Sequence, residues 1–313
     1  AFIMDKLMHL AGLHGKSFIP LVMGFGCNVP AIMATRTIES RSSRLITILI
    51  NPFMSCSARL PVFILLAGTF FPEHAGMALF CIYIFGGVMA VLTARILRRF
   101  MFGEDETPFV MELPPYRVPT LKATLRHMWD RSEQYLKKIG GLILVAAVII
   151  WFLSYYPRPQ VASENIATQT EQTTPDYSNS YLGRIGKVCE PIMKPIGLNW
   201  KGSVAILSGA TAKEIVVSTL GVLYAAEPIP TDENGELSED ASLGAKLVAS
   251  GDFDTRTAVA FMVFILLYFP CIATLIAIAK ETGRWYWAAA TVFYNTAIAW
   301  VAAFITYLIG GLF

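Results

Sequence analysis

The sequence predicts an all-α, polytopic membrane protein with two inverted-topology repeats, each holding a re-entrant helical hairpin and a broken transmembrane helix. Three observations carry that reading. The chain is 55% hydrophobic and 15% charged, whereas a soluble domain has about 25% charged residues. Its apolar residues gather into stretches that approach or exceed the roughly 20 residues needed to cross a bilayer. The same order of interruptions in those stretches occurs twice.

Taken in order, the apolar stretches fall at 17–34, 45–71, 76–97, 139–156, 202–226, 257–279 and 285–313. Residues 36–44 and 95–138 are rich in Arg and Lys, which places them on the cytoplasmic side. Within 119–138, Leu121, Leu125, Met128 and Trp129 share one side of an amphipathic, interfacial helix. The polar segment 157–201 then falls outside. If every apolar stretch crossed once, the acidic segment 227–254 would be cytoplasmic and the Lys280–Arg284 turn external, against the charge bias. Hairpins at 17–34 and 202–226 reverse both assignments and place the basic Lys6–Lys16 region inside as well. The organisation expected is a first repeat at 1–101, a cytoplasmic loop with the interfacial helix at 102–138, a transmembrane helix and external loop at 139–201, and a second repeat at 202–313.

The hairpins explain the composition of GFGCNVPAIMAT, residues 24–35. Gly24, Gly26 and Pro30 are poor helix-interior residues, and non-helical backbone at membrane depth survives only beside a cavity or inside protein. The stretch GCNVPAIMAT at 26–35 has a partner in GATAKEIVVS at 209–218, each passing from Gly through small or polar positions to an apolar run. CSARL at 56–60 and CIATL at 271–275 share C-x-A-x-L, and Pro52 and Pro270 precede them. Inverted repeats with a site at their interface are a recurrent transporter architecture.

The breaks carry the chemistry. Proline lacks an N–H, so Pro52 and Pro270 leave the carbonyls of Ile48 and Leu266 without helical donors. Cys56 and Cys271 sit beside those breaks, and Cys27 and Asn28 at the first hairpin tip. Thiol, carbonyl and amide oxygen form a mixed soft and hard donor set, suited to a borderline divalent transition metal held only in transit. Cys81 and Cys189 read as ordinary packing or loop residues. Arg59, Lys213 and Glu214 are ionisable groups in apolar runs, with a gating or structural role. Arg59 and Glu214 are the expected ion pair. His9, His14, His74 and His127 lie near loops or interfaces, without i, i+4 partners.

Other functions find little support. A net charge of +2 gives no reason to expect nucleic acid, and five cysteines mostly in apolar runs do not make a secreted disulfide framework. Gly15-Lys16-Ser17 resembles the end of a phosphate-binding loop, but Leu10 stands at its first glycine position; Gly197 and Gly202 have the spacing, but Ser203 replaces the lysine. No catalytic motif is visible.

The segments GFGCNVPAIMATRT, NPFMSCSARLPVF, TPFVMELPPYRVP, SGATAKEIVVSTLGVLY and FPCIATL resemble the membrane portion of the bacterial ferrous iron transport protein B (FeoB) family. The resemblance runs over nearly the whole chain. It implies a multi-pass inner-membrane Fe²⁺ importer with two Gate motifs of opposite orientation, whose gate cysteines match Cys27, Cys56 and Cys271. It also implies a cytoplasmic GTP-binding domain, and so GTP, on a part preceding this chain, which is expected to be a C-terminal fragment. Lipid and that domain are the implied partners; small Feo accessory proteins and a homo-oligomer are admitted. Two rival readings remain: a nucleoside or other organic-solute transporter, using Asn28, Thr211 and Glu214 for hydrogen bonding, and a non-transporting membrane scaffold.

Overall fold

The computed structural model describes residues 12–100, 180–224 and 243–311, with Met8 and scattered positions between 120 and 156. Among the described residues every regular element is helical.

The first unit opens with two short helices, α1 (Phe18–Gly24) and α2 (Asn28–Ala34), of seven residues each. At 1.5 Å per residue each is about 10 Å long, a third of a bilayer's hydrocarbon core. The amides of Phe25, Gly26 and Cys27 close the end of α1 on the carbonyls of Val22 and Met23. Cys27 is then extended (φ −150°, ψ 131°), which turns the chain back. Pro30 is the third residue of α2, within the first turn, where an N–H has no helical acceptor in any case. It begins a helix rather than kinking one.

Next comes a helix in two pieces, α3 (Arg41–Ile50) and α4 (Leu60–Phe70). Ser40 caps α3 by accepting from the Ser43 amide. At Pro52 the helix gives way to a 3₁₀ turn (Asn51–Phe53), an extended step through Cys56 and a second 3₁₀ turn (Ser57–Arg59). An unbroken helix of 26 residues, α5 (Ala75–Phe100), completes the unit.

After α6 (Tyr181–Met193) the same order returns. Gly197, with φ +78°, makes a left-handed turn where a Cβ would fall 2.7 Å from Thr257 Oγ1. The second hairpin is α7 (Trp200–Ser208) and α8 (Ile215–Tyr224), with Asn199 capping α7 through the Gly202 amide. A short α9 (Leu243–Ala249) follows. The second broken helix is α10 (Thr255–Leu267) and α11 (Ile272–Thr282), interrupted at Tyr268–Cys271. The chain then reverses at Gly283 into α12 (Trp285–Gly310), again 26 residues.

Four segments are long and apolar enough to cross a membrane: Arg41–Phe70, Ala75–Phe100, Thr255–Thr282 and Trp285–Gly310. Of their most apolar windows, the two broken helices bury 61% and 72% and the two unbroken ones 17% each. The interrupted helices therefore form the centre, and α5 and α12 turn Phe80, Val88, Phe293 and Val301 outward.

Contacts at the two ends fix the hairpins. Lys16 pairs with Glu39 at 2.6 Å, bringing both ends of the 17–34 stretch together, as a hairpin requires and a single crossing forbids. That hydrogen bond and the lysine charge hold the Glu39 carboxyl below its ordinary range. Arg98 donates to the Gly12 carbonyl at the same end. Arg36 and Arg44 both pair with Glu281, at 2.5 and 2.9 Å, so the end of α11 also lies there. At the start of α10, Asp252 accepts from Tyr224 and pairs with Lys201, and Asn199 donates to Tyr224. Both ends of the second hairpin thus meet at the opposite end of the Thr255–Thr282 segment.

Several expected features fall outside the described residues: the loops at 157–179 and 225–242 and much of 139–156. Leu121, Leu125, Met128 and Trp129 are helical and exposed.

The Glu281 cluster ties the first unit to the second. Glu281→Gln removes charge-assisted bonds from a nearly buried carboxylate and should cost about 1–2 kcal/mol, allowing for solvent at the two arginines. Thermal unfolding in detergent should show a lower midpoint for Glu281→Gln than for Arg36→Gln, whose side chain is the more exposed of the two arginines.

Candidate functional site

Each hairpin tip docks on the break of its own unit through an equivalent backbone bond. The amide of Ser57 donates to the Gly26 carbonyl at 3.3 Å, reinforced by Ser57 Oγ at 2.9 Å. In the second unit the amide of Ile272 donates to the Ala210 carbonyl at 3.0 Å. In both cases the donor follows the break cysteine, Cys56 or Cys271. The bonds set Gly26 opposite Ala210, one residue from the register in which Gly26 matches Gly209.

Cys27, Cys56 and Cys271 occupy the same kind of position. Each is extended and immediately precedes a helical segment, α2, the Ser57–Arg59 turn or α11. Such a position faces backbone N–H groups that lack helical acceptors. Cys271 Sγ also lies 3.2 Å from Thr274 Oγ1.

Two cations occupy the breaks. Arg59 is fully buried; its guanidinium donates to the Pro52 carbonyl at 3.2 Å from both terminal nitrogens and to the Met54 carbonyl at 3.4 Å. Lys213, also buried, reaches from the second hairpin to the Phe269 carbonyl at 2.8 Å and lies 3.0 Å from the centre of the Tyr268 ring. Carbonyl dipoles and a ring face compensate charges that are costly to bury. Protein cations thus take the carbonyls of Pro52, Met54 and Phe269, rather than those of Ile48 and Leu266, and the Tyr294 hydroxyl of α12 donates to that of Leu49.

The expected Arg59–Glu214 ion pair does not form. Glu214 is exposed, Arg59 folds back on its own broken helix, and among the described residues no carboxylate pairs with Arg59 or Lys213. Lys213 lies within electrostatic reach of Arg59, Cys56 and Cys271, which brings the two breaks to one centre. Cys27 joins that centre through its neighbour Gly26, bonded to the residue after Cys56. Among the described residues, no three His, Cys, Asp or Glu side chains assemble as a ready metal cage. Cys81 lies on the outward α5 and Cys189 on α6, away from the breaks.

Asn28 is buried at the start of α2, with its Oδ1 lacking a hydrogen-bond partner. Sequence reasoning missed Asn51, Tyr268 and Asn295, all fully buried and each with side-chain polar atoms lacking a partner. The available signal was a polar side chain inside an apolar run, beside Pro52 for Asn51 and near Pro270 for Tyr268.

Replacing Arg59 with methionine should strand the Pro52 and Met54 carbonyls and cost about 3 kcal/mol, while Glu214→Ala at an exposed position should stay within about 0.5 kcal/mol. Folded yield by fluorescence-detected gel filtration, with thermal midpoints, checks both. Equal losses for the two variants would restore the ion pair.

The Gate family (nucleoside recognition) matches residues 1–70 and 136–285, and the ferrous iron transport protein B C terminus matches residues 79–131. A Porphyromonas gingivalis relative, the Fe(2+) transport protein A/Fe(2+) transporter FeoB fusion protein, is 50% identical over all of this chain and 40% of its own length. The Fe(2+) transporter FeoB of Campylobacter jejuni is 42% identical over 97% of this chain and 48% of its own. That of Staphylococcus aureus is 40% identical over all of this chain and 43% of its own. The chain thus spans less than half the length of these three relatives. No solved structure matches it. Its interrupted helices, its spans and these matches together make the chain a multi-pass membrane protein that belongs to the ferrous iron transport protein B family, as its Gate-bearing, C-terminal part.

Proposed function

We propose that the chain forms the path along which ferrous iron crosses the bacterial inner membrane. The observation that supports this best is the pair of helix breaks, each with a cysteine, docked on a hairpin and brought to one buried centre. The relatives' names, Fe(2+) transporter, point to the cargo. Cys27, Cys56 and Cys271 supply soft donors and Asn28 a hard one, a mixture suited to Fe²⁺. Conduction demands sites weak enough to leave, so the ion is passed between partial sites rather than stored. Arg59 and Lys213 occupy break carbonyls that would otherwise bind a passing cation.

In this reading the Gate units, 1–101 and 202–313, insert in opposite directions. The end that carries Lys16, Arg36, Arg44 and Arg98 is cytoplasmic by the positive-inside rule, and the end with Asp252 and Asp254 is external. The whole protein couples passage to a GTP-binding domain on a part preceding this chain, and GTP acts there. The Porphyromonas relative's name joins a Fe(2+) transport protein A to the transporter, which supports a small Feo accessory protein as a partner. Nucleoside transport rests on the matched family's description alone; the thiols favour a metal.

Fe²⁺ uptake into proteoliposomes, with uridine as the competing substrate, tests the cargo. Cys27→Ser, Cys56→Ser and Cys271→Ser should each lower Fe²⁺ uptake about tenfold or more at unchanged membrane abundance, since serine is nearly isosteric but a harder ligand. Cys81→Ser and Cys189→Ser should transport normally. Uridine uptake with no Fe²⁺ uptake would refute the reading.

Orientation has its own check. In a background cleared of reactive thiols, an impermeant thiol reagent added to intact cells should label Asp254→Cys and spare Thr282→Cys. The reverse pattern would overturn the assignment of sides.

A further inference from the structure

Asn51 ends the first half of the broken helix, one residue before Pro52. It is fully buried, and neither its amide nitrogen nor its amide oxygen has a hydrogen-bond partner. Asn28, on the facing hairpin, is 4% exposed and its Oδ1 also lacks a partner. The two oxygens close on the backbone of Gly24, where there is no room for a side chain. A Cβ on Gly24 would lie 2.5 Å from Asn51 Oδ1, 3.1 Å from Met54 Cβ and 3.5 Å from Asn28 Oδ1.

A polar group buried without a partner is costly, and most such groups in folded proteins are satisfied. Two carbonyl-type oxygens turned toward the same space also repel each other unless something positive lies between them. Among the described residues no protein donor bonds either oxygen. Arg59 spends its terminal nitrogens on the Pro52 and Met54 carbonyls. Because neither atom of the Asn51 amide is tied to the protein, the group can turn its oxygen to a ligand at no cost in hydrogen bonds.

The second unit is built differently. Its tip places Ala210, Thr211 and Ala212 where the first has Gly26, Cys27 and Asn28 in the register of the docking bonds. Gly209 there packs against the Tyr268 hydroxyl, and Lys213 sends a fixed positive charge into the break. The first tip is neutral and offers oxygen; the second is cationic. With the Arg59 charge drawn onto the Pro52 and Met54 carbonyls, the first tip itself adds no fixed charge, whereas the second adds Lys213.

We propose that Asn28 and Asn51, which meet at the Gly24 backbone, form a cation subsite of neutral amide oxygens that holds the divalent ion on its way to the Cys27 and Cys56 thiols. The proposal rests on the reading of the chain as an iron path and extends it to a step that the thiols do not perform. Neutral oxygens cancel no charge and do not titrate, so the subsite binds weakly, releases readily and works alike across neutral pH. Hard oxygen ligands suit Mn²⁺ as well as Fe²⁺, so it does not select between them; discrimination falls to the softer thiols.

Mn²⁺ is therefore the probe. Loss of the free Mn²⁺ electron paramagnetic resonance signal is followed as the purified whole protein is added, with and without Cys27→Ser, Cys56→Ser and Cys271→Ser together. Mn²⁺ binding should survive the triple serine change and weaken about tenfold or more in Asn51→Leu, the loss typical of a disturbed metal site. Asn51→Asp should tighten binding, make it pH-dependent and slow Fe²⁺ uptake. Unchanged Mn²⁺ affinity in a monodisperse Asn51→Leu protein overturns the subsite. If that variant does not fold, anomalous scattering from Mn²⁺-soaked wild-type crystals decides. A peak between the Asn28 and Asn51 amides supports the proposal, and a water there without a Mn²⁺ peak sinks it. Wild-type Fe²⁺ uptake separates the two readings. Uptake with Mn²⁺ binding indifferent to Asn51 removes the subsite alone, and Asn51-dependent binding without any uptake removes the iron path.

Discussion

Helices broken within a membrane leave backbone groups that lipid cannot satisfy, and the structure depends on how that deficit is met. Each unit meets it with a hairpin. The tip carbonyl, Gly26 or Ala210, receives the amide that follows the break cysteine. A buried cation, Arg59 or Lys213, then takes the break carbonyls. One bond positions the thiol and the other neutralises the backbone around it. Glycine at the tip, proline at the break and a long basic side chain nearby are parts of a single solution.

Much of this was legible in the sequence because its causes are local. Gly24, Gly26 and Pro30 cannot sit comfortably inside one long helix, and Lys16 and Glu39 then had to lie on one side. The repeated order of hairpin, broken helix and continuous helix followed from Pro52 and Pro270 and from the spacing of apolar runs. The Arg59–Glu214 pairing failed for a physical reason. It assumed that Cys56 and Arg59 share a helix face, but residues 54–56 are extended and 57–59 form a 3₁₀ turn, so Arg59 curls back onto Pro52. Asn51 is not legible in the sequence because its burial and its approach to Gly24 arise only once the hairpin docks. The one-residue shift between Gly26 and Gly209 is likewise a tertiary fact, set by which carbonyl the break amide finds.

The two units are not equal. The first unit meets its break with Arg59 from the broken helix itself and with Tyr294 of α12 at the Leu49 carbonyl, whereas the second borrows Lys213 from its hairpin. The first hairpin tip is left with neutral amides. The second break and its hairpin are tied by a charged side chain as well as by backbone. A displacement of the second hairpin would expose the Phe269 carbonyl and unstack Lys213 from Tyr268, while the same displacement of the first would break the Gly26 bonds and uncover Val29 and Ile32, which pack against Ala273 and Ile278.

The unbroken helices α5 and α12 turn most of their apolar windows away from the protein, although Tyr294 of α12 donates to the Leu49 carbonyl at the end of α3. Their outward residues touch nothing that the breaks depend on. Exchange among leucine, isoleucine, valine and phenylalanine there leaves every buried contact as it was. These helices behave as a sleeve, free to drift in sequence and to follow the thickness of different bilayers, while the core keeps its geometry.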